Sequence, residues 1–392
     1  MRPMKLLPNL ILLLALTLVE ARAQSLKVIV KNPLGFERND VTAITRDQLG
    51  FWLKKHDKKN FRIKMEGTEA YLPIQWTDYD GDGKYDAVLF QANVPANATV
   101  NYFIVSDSLK NKSQSQRVAY GKFSPERGEG LAWENDRVAF CLYGSGGKKS
   151  AKDASAFPGG VNPWFKKVAY AVIDSWFAKS KKQPGYYRQD HGEGYDGYLL
   201  GAGMGAGGSG LWVKDSLHLP GGFSSYRILE NGPLRVKLEV KYARWSRFWV
   251  EETKIISLDM GSNFSKFEVY FTANTKAPGY SLGISLHDNK GKTRLEKEVG
   301  WARYWEAVGD SWLGEALIME PRYIDDILTH VDAQPDRSHL LLVTKPRDQI
   351  TYYTGFTWLK SGQVRHVEDW DVLIQQQILK LNNPLEVSVL SN

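Results

Sequence analysis

A chain of 392 residues that is 43% hydrophobic can fill one large core or two closely packed ones, and its single cysteine, Cys141, excludes an intrachain disulfide. The formal charge is +7, of which residues 1–23 supply a net +2 through Arg2, Lys5 and Arg22 against Glu20. The remaining excess is spread over short patches such as Lys54-Lys55 and Lys148-Lys149. That pattern excludes the continuous basic stripe of a nucleic-acid binder and suits an anionic substrate.

The chain opens with Arg2 and Lys5, an apolar run from Leu6 to Val19, and the small-residue pattern Ala21-Arg22-Ala23. This reads as a secretory signal over residues 1–23, with the mature chain starting near Gln24 in the periplasm or outside the cell. No later run is long and apolar enough to span a membrane.

Alternating or β-branched runs predict strands at Leu26 to Val30, Thr99 to Val105, Leu234 to Tyr242, Thr253 to Leu258, Phe264 to Phe271, Leu282 to Leu286, His339 to Val343 and Tyr352 to Trp358. Helical periodicity is confined to short pieces near Asp47 to Lys55 and Trp164 to Lys179. No repeat of about 20–50 residues is present, which argues against propellers and solenoids. The expected fold is all-β: one large sandwich over residues 24–392 with short helices and long loops, its first strands, about 26–105, packed on the main body.

Asp78, Asp80 and Asp82, followed by Gly83, match the first half of a calcium loop. The twelfth position is Leu89 rather than Glu, so a calcium site would have to close through Asp86. The other reading is a polar hairpin turn between Ile74-Gln75-Trp76 and Ala87 to Phe90. No cofactor is required by either reading.

A second polar segment holds Pro125-Glu126-Arg127 and Trp133-Glu134-Asn135-Asp136-Arg137. If residues 134–138 form a strand, Glu134 and Asp136 share one face, and Asn135 and Arg137 the other. Arginine grips a sugar carboxylate or sulfate in two-pronged fashion; an internal ion-pair network is the competing account of the same residues. Between about Gly144 and Gly222, Gly, Lys, Tyr and Trp crowd together. The run Gly201 to Gly208 lacks the Lys-Ser/Thr of a phosphate loop, so nucleotide binding is rejected.

The densest cluster is Tyr186-Tyr187-Arg188-Gln189-Asp190-His191-Gly192-Glu193-Gly194. His191 exchanges protons near neutral pH, Tyr187 can donate one, and the glycines permit close approach of a ligand. There is no Gly-x-Ser-x-Gly elbow, no His-Glu-x-x-His and no cysteine metal pattern. Paired glycosidase carboxylates remain open, since Glu126, Glu134, Asp136, Asp190 and Glu193 all supply candidates. Thirteen Trp and 19 Tyr offer rings that either stack on sugars or fill a β core.

The segments Val30-Lys31-Asn32-Pro33-Leu34, Trp76 to Gly83, Pro125-Glu126-Arg127, Ala132 to Phe140, Asp190-His191-Gly192-Glu193-Gly194 and Asn231-Gly232-Pro233 resemble a family of exported bacterial proteins. That family, a domain of unknown function of polysaccharide-utilisation loci, includes ulvan oligosaccharide dehydratases. The resemblance runs from about residue 26 to 385. It implies a β supersandwich similar to that of galactose mutarotase. It also implies a carbon–oxygen lyase that removes water from a non-reducing-end uronic acid of acidic oligosaccharides, giving a 4,5-unsaturated uronic acid. Two positions depart from the family pattern: Asn162-Pro163 stands where Asp and an aliphatic residue are usual, and Ala206 where Cys is usual.

In this reading His191 is the base for the C5 proton and Tyr187 the acid for the departing hydroxyl, with Glu193 in the same catalytic cluster. Arg127, Arg137 and Lys167 clamp the carboxylate, and Trp133, Glu134 and Trp164 complete the substrate contacts. A glycoside hydrolase on similar fragments and a non-catalytic glycan binder are the alternatives, with an epimerase weaker still. Oligomeric state is not encoded in any of these features.

Overall fold

The computed structural model describes residues 25–108, 118–125, 130–145, 159–274, 279–334 and 337–390. The predicted signal, residues 1–23, and Arg127 lie outside them.

Two β bodies are built along the chain. The first is a small sandwich of a four-stranded sheet, in the order Glu386–Leu390, Leu26–Lys31, Thr99–Ser106 and Phe61–Met65, and a three-stranded sheet of Arg38–Thr45, Ala87–Val94 and Ile74–Thr77. Alternation decides its interior: Val28 and Val30 face inward with Phe61, Ile63, Val88, Phe90 and Ile104, forming a core of its own. The sheet hairpin at Thr77↔Ala87 closes over the Asp-rich turn, as one of the two sequence readings expects. Helix α1 (Arg46–Lys55) begins where Thr45 and Gln48 cap each other reciprocally, the Thr45 hydroxyl accepting from the Gln48 N–H and the Gln48 side chain accepting from that of Thr45.

The second body is the main sandwich. Its eight-stranded sheet runs in the order Ser225–Asn231, Arg235–Trp245, Val250–Asp259, Phe264–Thr272, Gln349–Trp358, Ser311–Met319, Trp301–Val308 and Lys292–Glu296. Opposite it lie two five-stranded sheets. One contains Tyr120–Ser124, Gly130–Glu134, Ala139–Tyr143, Asn162–Lys166 and Gly194–Tyr195; the other contains Ser216–His218, Ala206–Val213, Tyr280–Ser285, His339–Thr344 and Ile324–His330. One continuous core draws on all three sheets, from Leu131 and Phe140 through Val236 and Phe267 to Leu317 and Tyr352. The all-β sandwich expected from the sequence is therefore the fold, with three α-helices attached among the described residues.

Three local expectations change. Residues 134–138 are not a strand: Gly130–Glu134 ends there, and the Asn135 side chain accepts from the N–H groups of Arg137 and Val138 to turn the chain into Ala139–Tyr143. The predicted helix from Trp164 to Lys179 divides, because Asn162–Lys166 pairs into a sheet and only Ile173–Lys182 is helical, as α2. The third helix, α3 (Val367–Asn382), was not expected; its Trp370 and Ile374 cover the outer face of the large sheet at Phe264, Trp301, Trp305, Ala316 and Ile318. Among the described residues no helix is long and apolar enough to cross a membrane.

The glycine-rich run ends inside the sandwich rather than in a phosphate loop. Gly207 has φ +104°, and a Cβ there would sit 2.4 Å from the Thr354 hydroxyl. The strand it opens could not otherwise lie against Gln349–Trp358.

Candidate active site

Helix α2 has no side chain of its own at its start. The carboxylate of Glu134, fully buried, takes that place by accepting from the N–H groups of Val172 at 2.9 Å and Ile173 at 2.8 Å, and it is ion-paired to Lys166 at 2.8 Å. Trp133 is also fully buried and donates to the Ser265 hydroxyl at 3.0 Å; Trp164 is buried against Trp176, Phe177 and Tyr187. The sequence assigned all three to substrate. In the structure Trp133, Glu134 and Trp164 build the protein's interior, and their surface is spent on neighbouring side chains.

After α2 the chain turns through Tyr186–Arg188 into the Asp190–Gly194 loop. Asp190 organises it, accepting from Gly192 N at 2.8 Å, Gly194 N at 3.1 Å and the Lys167 ammonium at 2.6 Å. Burial opposes ionisation here, but Lys167 and the two backbone donors prevail and hold the Asp190 carboxyl below its ordinary value. Gly194 is required: at φ +110° a Cβ would lie 1.9 Å from the Phe165 carbonyl oxygen. His191 is exposed, stacked on Tyr186 with ring centroids 3.9 Å apart, and its Nε2 lies 3.1 Å from the Tyr186 carbonyl. Glu193 accepts from Tyr170 and from Trp176 Nε1, both at 3.0 Å, and lies 3.6 Å from the Lys179 ammonium. Tyr187 is half-buried, its ring 5.8 Å from Trp164. His191, Tyr187, Glu193 and Lys167 thus share one region.

Arg137 belongs elsewhere. It donates to Asn263 at 3.3 Å, its carbonyl accepts from Gln363, and it lines a cleft of about 1300 Å³ between the two β bodies, together with Tyr79, Lys237, Tyr270 and Gln376. Neither Lys167 nor His191 lines that cleft. The expected clamp joining Arg137 to Lys167 is not assembled, because the turn at Asn135 sends residues 134 and 137 to different sides.

At the rim of the cleft, carboxylate oxygens of Asp78, Asp80 and Asp86 lie within 4.8 Å of one another. Hard oxygen donors at this spacing fit calcium. Asp82, the fourth expected ligand, is outside the group and pairs with Lys84 at 3.1 Å. The same carboxylates also close the turn by accepting from Tyr79, Gly81, Asp82 and Gly83 N–H groups.

A further cluster escaped the sequence reading. Antiparallel register places Glu306 beside Leu313 and Leu313 beside Trp358, all on the inner face of the large sheet. Two strand spacings separate Glu306 from Trp358, about 10 Å, and the Lys167 ammonium sits 5.9 Å above the Trp358 ring. Glu306 accepts from His287 Nδ1 at 2.8 Å, and His287 Nε2 meets the Leu199 carbonyl at 3.0 Å. Next to Glu306, fully buried Glu315 accepts from the Tyr198 hydroxyl at 2.9 Å, while its Oε2 finds no hydrogen-bond partner. Burial and then the Glu306 charge push the Glu315 carboxyl far above the usual carboxylate range. Burial opposes protonation of His287, yet the Glu306 carboxylate raises its pKa. The available signal was a glutamate in register with core residues: Glu306 follows Ala302 and Tyr304, and Glu315 lies between Leu313 and Leu317.

These features define a large all-β sandwich protein. The chain belongs to the family described as Domain of unknown function (DUF4861), whose model matches residues 30–387. It is 36% identical over 338 residues to Uncharacterized protein P7 of Formosa agariphila, covering 84% of this chain and 85% of that one. Among solved structures, a protein in the Glycosyl Hydrolase Family 38 from Enterococcus faecalis superposes with a TM-score of 0.48 at 10% identity, over 94% of this chain and 47% of that one. An alpha-mannosidase from Enterococcus faecalis gives 0.44 at 8% identity, over 94% and 46%. The chain spans just under half the length of each of these two.

Proposed function

We propose that the protein processes acidic carbohydrate, removing water from the non-reducing-end uronic acid of ulvan-like oligosaccharides to leave a 4,5-unsaturated uronic acid. The observation that carries this reading is the Lys167 ammonium held above the Trp358 ring, beside the exposed His191 loop. Trp358 is buried and backs the ammonium from the core side, so the partly exposed Lys167 head is what meets the sugar carboxylate. His191 takes the C5 proton: its Nε2 donates to the Tyr186 carbonyl, which leaves Nδ1 as the basic nitrogen. Glu193, gripped by Tyr170 and Trp176, holds the loop that presents His191. The apolar run from Leu6 to Val19 supports an exported, periplasmic or secreted location. Three convergent carboxylates support a calcium ion at Asp78, Asp80 and Asp86 as a structural element of the cleft rim.

The test is to mix purified protein with saturated uronic-acid-terminated oligosaccharides and follow ultraviolet absorbance and product mass. A rise in absorbance with loss of one water is the expected result. Cleavage without absorbance would mean hydrolysis, and saturable binding without either would mean a glycan-binding protein.

A further inference from the structure

Elimination needs an acid as well as a base, and the Tyr187 expected for that step is packed against Trp164. Another candidate donor sits beside Glu306, two strand spacings across the large sheet from Trp358. Both nitrogens of His287 face acceptors: Nδ1 meets both oxygens of Glu306, at 2.8 and 2.9 Å, and Nε2 meets the Leu199 carbonyl at 3.0 Å. An imidazole whose two nitrogens both point at acceptors is satisfied only when both carry protons. The nearest charge favours that state, while Asp288 is itself paired with the exposed Lys290 ammonium at 2.9 Å. Glu306 touches it, Asp288 follows it in the chain, and Tyr198, edge-on at 4.8 Å between ring centroids, keeps its own proton because burial and Glu315 raise its pKa.

The group that occupies Nε2 belongs to an irregular segment, residues 197–200, that no helix or strand fixes. Leu199 is 75% exposed, an apolar side chain on a segment that continues directly from the Asp190–Gly194 loop through Tyr195, whose ring packs on Trp358. That segment therefore touches Lys167 at one end and His287 at the other. His287 also stands at φ +46°, a conformation that favours glycine and that its surroundings must impose.

We propose that His287, oriented by Glu306, is the general acid of the elimination, protonating the departing 4-hydroxyl once substrate displaces the Leu199 carbonyl. This rests on the dehydratase reading above. The balance is simple. A base takes the C5 proton, the C5–H electron pair forms the C4=C5 bond, the C4–O bond breaks, and the Nε2 proton of His287 leaves with the oxygen as water. No electrons are gained or lost overall. Glu306 neutralises the imidazolium before the step and fixes its ring throughout, so it is a positioning residue. Glu315, kept neutral, lets that one negative charge stand alone.

The experiment compares two substrates: a 4-hydroxy uronide oligosaccharide and its 4-deoxy-4-fluoro analogue, whose fluoride leaves without needing a full proton. For His287→Asn the expected result is a loss of about 10²–10⁴-fold in kcat on the hydroxy substrate and near wild-type release of fluoride. His191→Ala should lose both. Equal loss on both substrates would make His287 a structural or basic residue, and unchanged turnover would remove it from the reaction; either overturns the proposal. If wild-type protein makes unsaturated product from neither substrate, the dehydratase reading fails first. Should His287→Asn not fold, Glu306→Gln answers the same question. The alkaline limb of its kcat/KM profile should move to lower pH, because the carboxylate that raises the His287 pKa is gone. A limb that stays in place overturns the assignment.

Discussion

Replacing Lys166 with methionine should destabilise the protein by about 3–5 kcal/mol, the range for stripping one partner from a buried ion pair. Both members of the Glu134–Lys166 pair are fully enclosed, and Lys166 also donates to the Asn135 carbonyl at 2.5 Å. Methionine fills the space of the lysine stem but leaves a carboxylate without its counter-charge. Adding Glu134→Gln to Lys166→Met removes that charge while the amide oxygen still accepts from Val172 and Ile173, so the double variant should return to within about 2 kcal/mol of wild type. Glu134→Leu with Lys166→Met should recover less, because the two helix N–H groups then lose their acceptor at about 1–3 kcal/mol each. Urea unfolding followed by tryptophan fluorescence measures all four proteins, Trp176 on α2 being an internal reporter. If Lys166→Met lies within about 1 kcal/mol of wild type, or Glu134→Gln fails to restore it, the pair is not holding α2 in place and the argument fails.

Three other outcomes follow from the geometry. Lys167→Met should raise KM for uronate substrates at least tenfold, since it deletes the cation over Trp358, while Arg137→Ala should change KM less than about twofold; the reverse order in steady-state kinetics would move the site to the inter-body cleft. The Asp190 carboxyl is depressed in the folded protein, so it stabilises the loop above its unfolded pKa of about 4 and loses that contribution as pH falls through the lower folded value. Protection of the Gly192 and Gly194 amides against hydrogen exchange, taken relative to the intrinsic rate at each pH, should therefore fall on acidification, and in Asp190→Asn it should already be low at neutral pH. Calcium titrated into chelator-treated protein should give a calorimetric binding signal that Asp80→Asn abolishes; no heat in the native protein would make Asp78 to Asp86 a plain hairpin turn.

The strands were legible because a β-strand writes its burial into adjacent residues. The run at Phe264 to Phe271 alternates, and the observed strand Phe264–Thr272 differs by one residue. Helix α3 was equally periodic, with Val367, Trp370, Ile374 and Ile378 three or four apart, but its charged and amide residues masked the stripe. Neighbours in the chain do not always share a place in the fold. Trp133, Glu134 and Arg137 lie within five consecutive residues and face a core, a helix end and a cleft, because Asn135 turns the backbone between them. Conversely, register brings Glu306 and Glu315 to neighbouring strands, and His287 reaches Glu306 from a turn that follows a strand of the opposite sheet, neither of which a linear pattern of apolar residues specifies.

The edge strand Glu386–Leu390 pairs with Leu26–Lys31, in register from Lys27↔Leu390 to Lys31↔Glu386. Arg38 reaches the Asn383 carbonyl at the end of α3, and Lys380 pairs with Asp40. The first body of the protein therefore waits for the last residues of the chain. During synthesis, Leu26–Lys31 emerges with one flank unpaired and remains so until the whole main sandwich has been made. A closure of this sequence separation is slow by its entropy alone, and the exposed edge is a template for wrong partners meanwhile. Refolding should accordingly show the small sandwich maturing late although it comes first in the sequence, and loss of residues 386–390 should promote aggregation before it affects the large sheet.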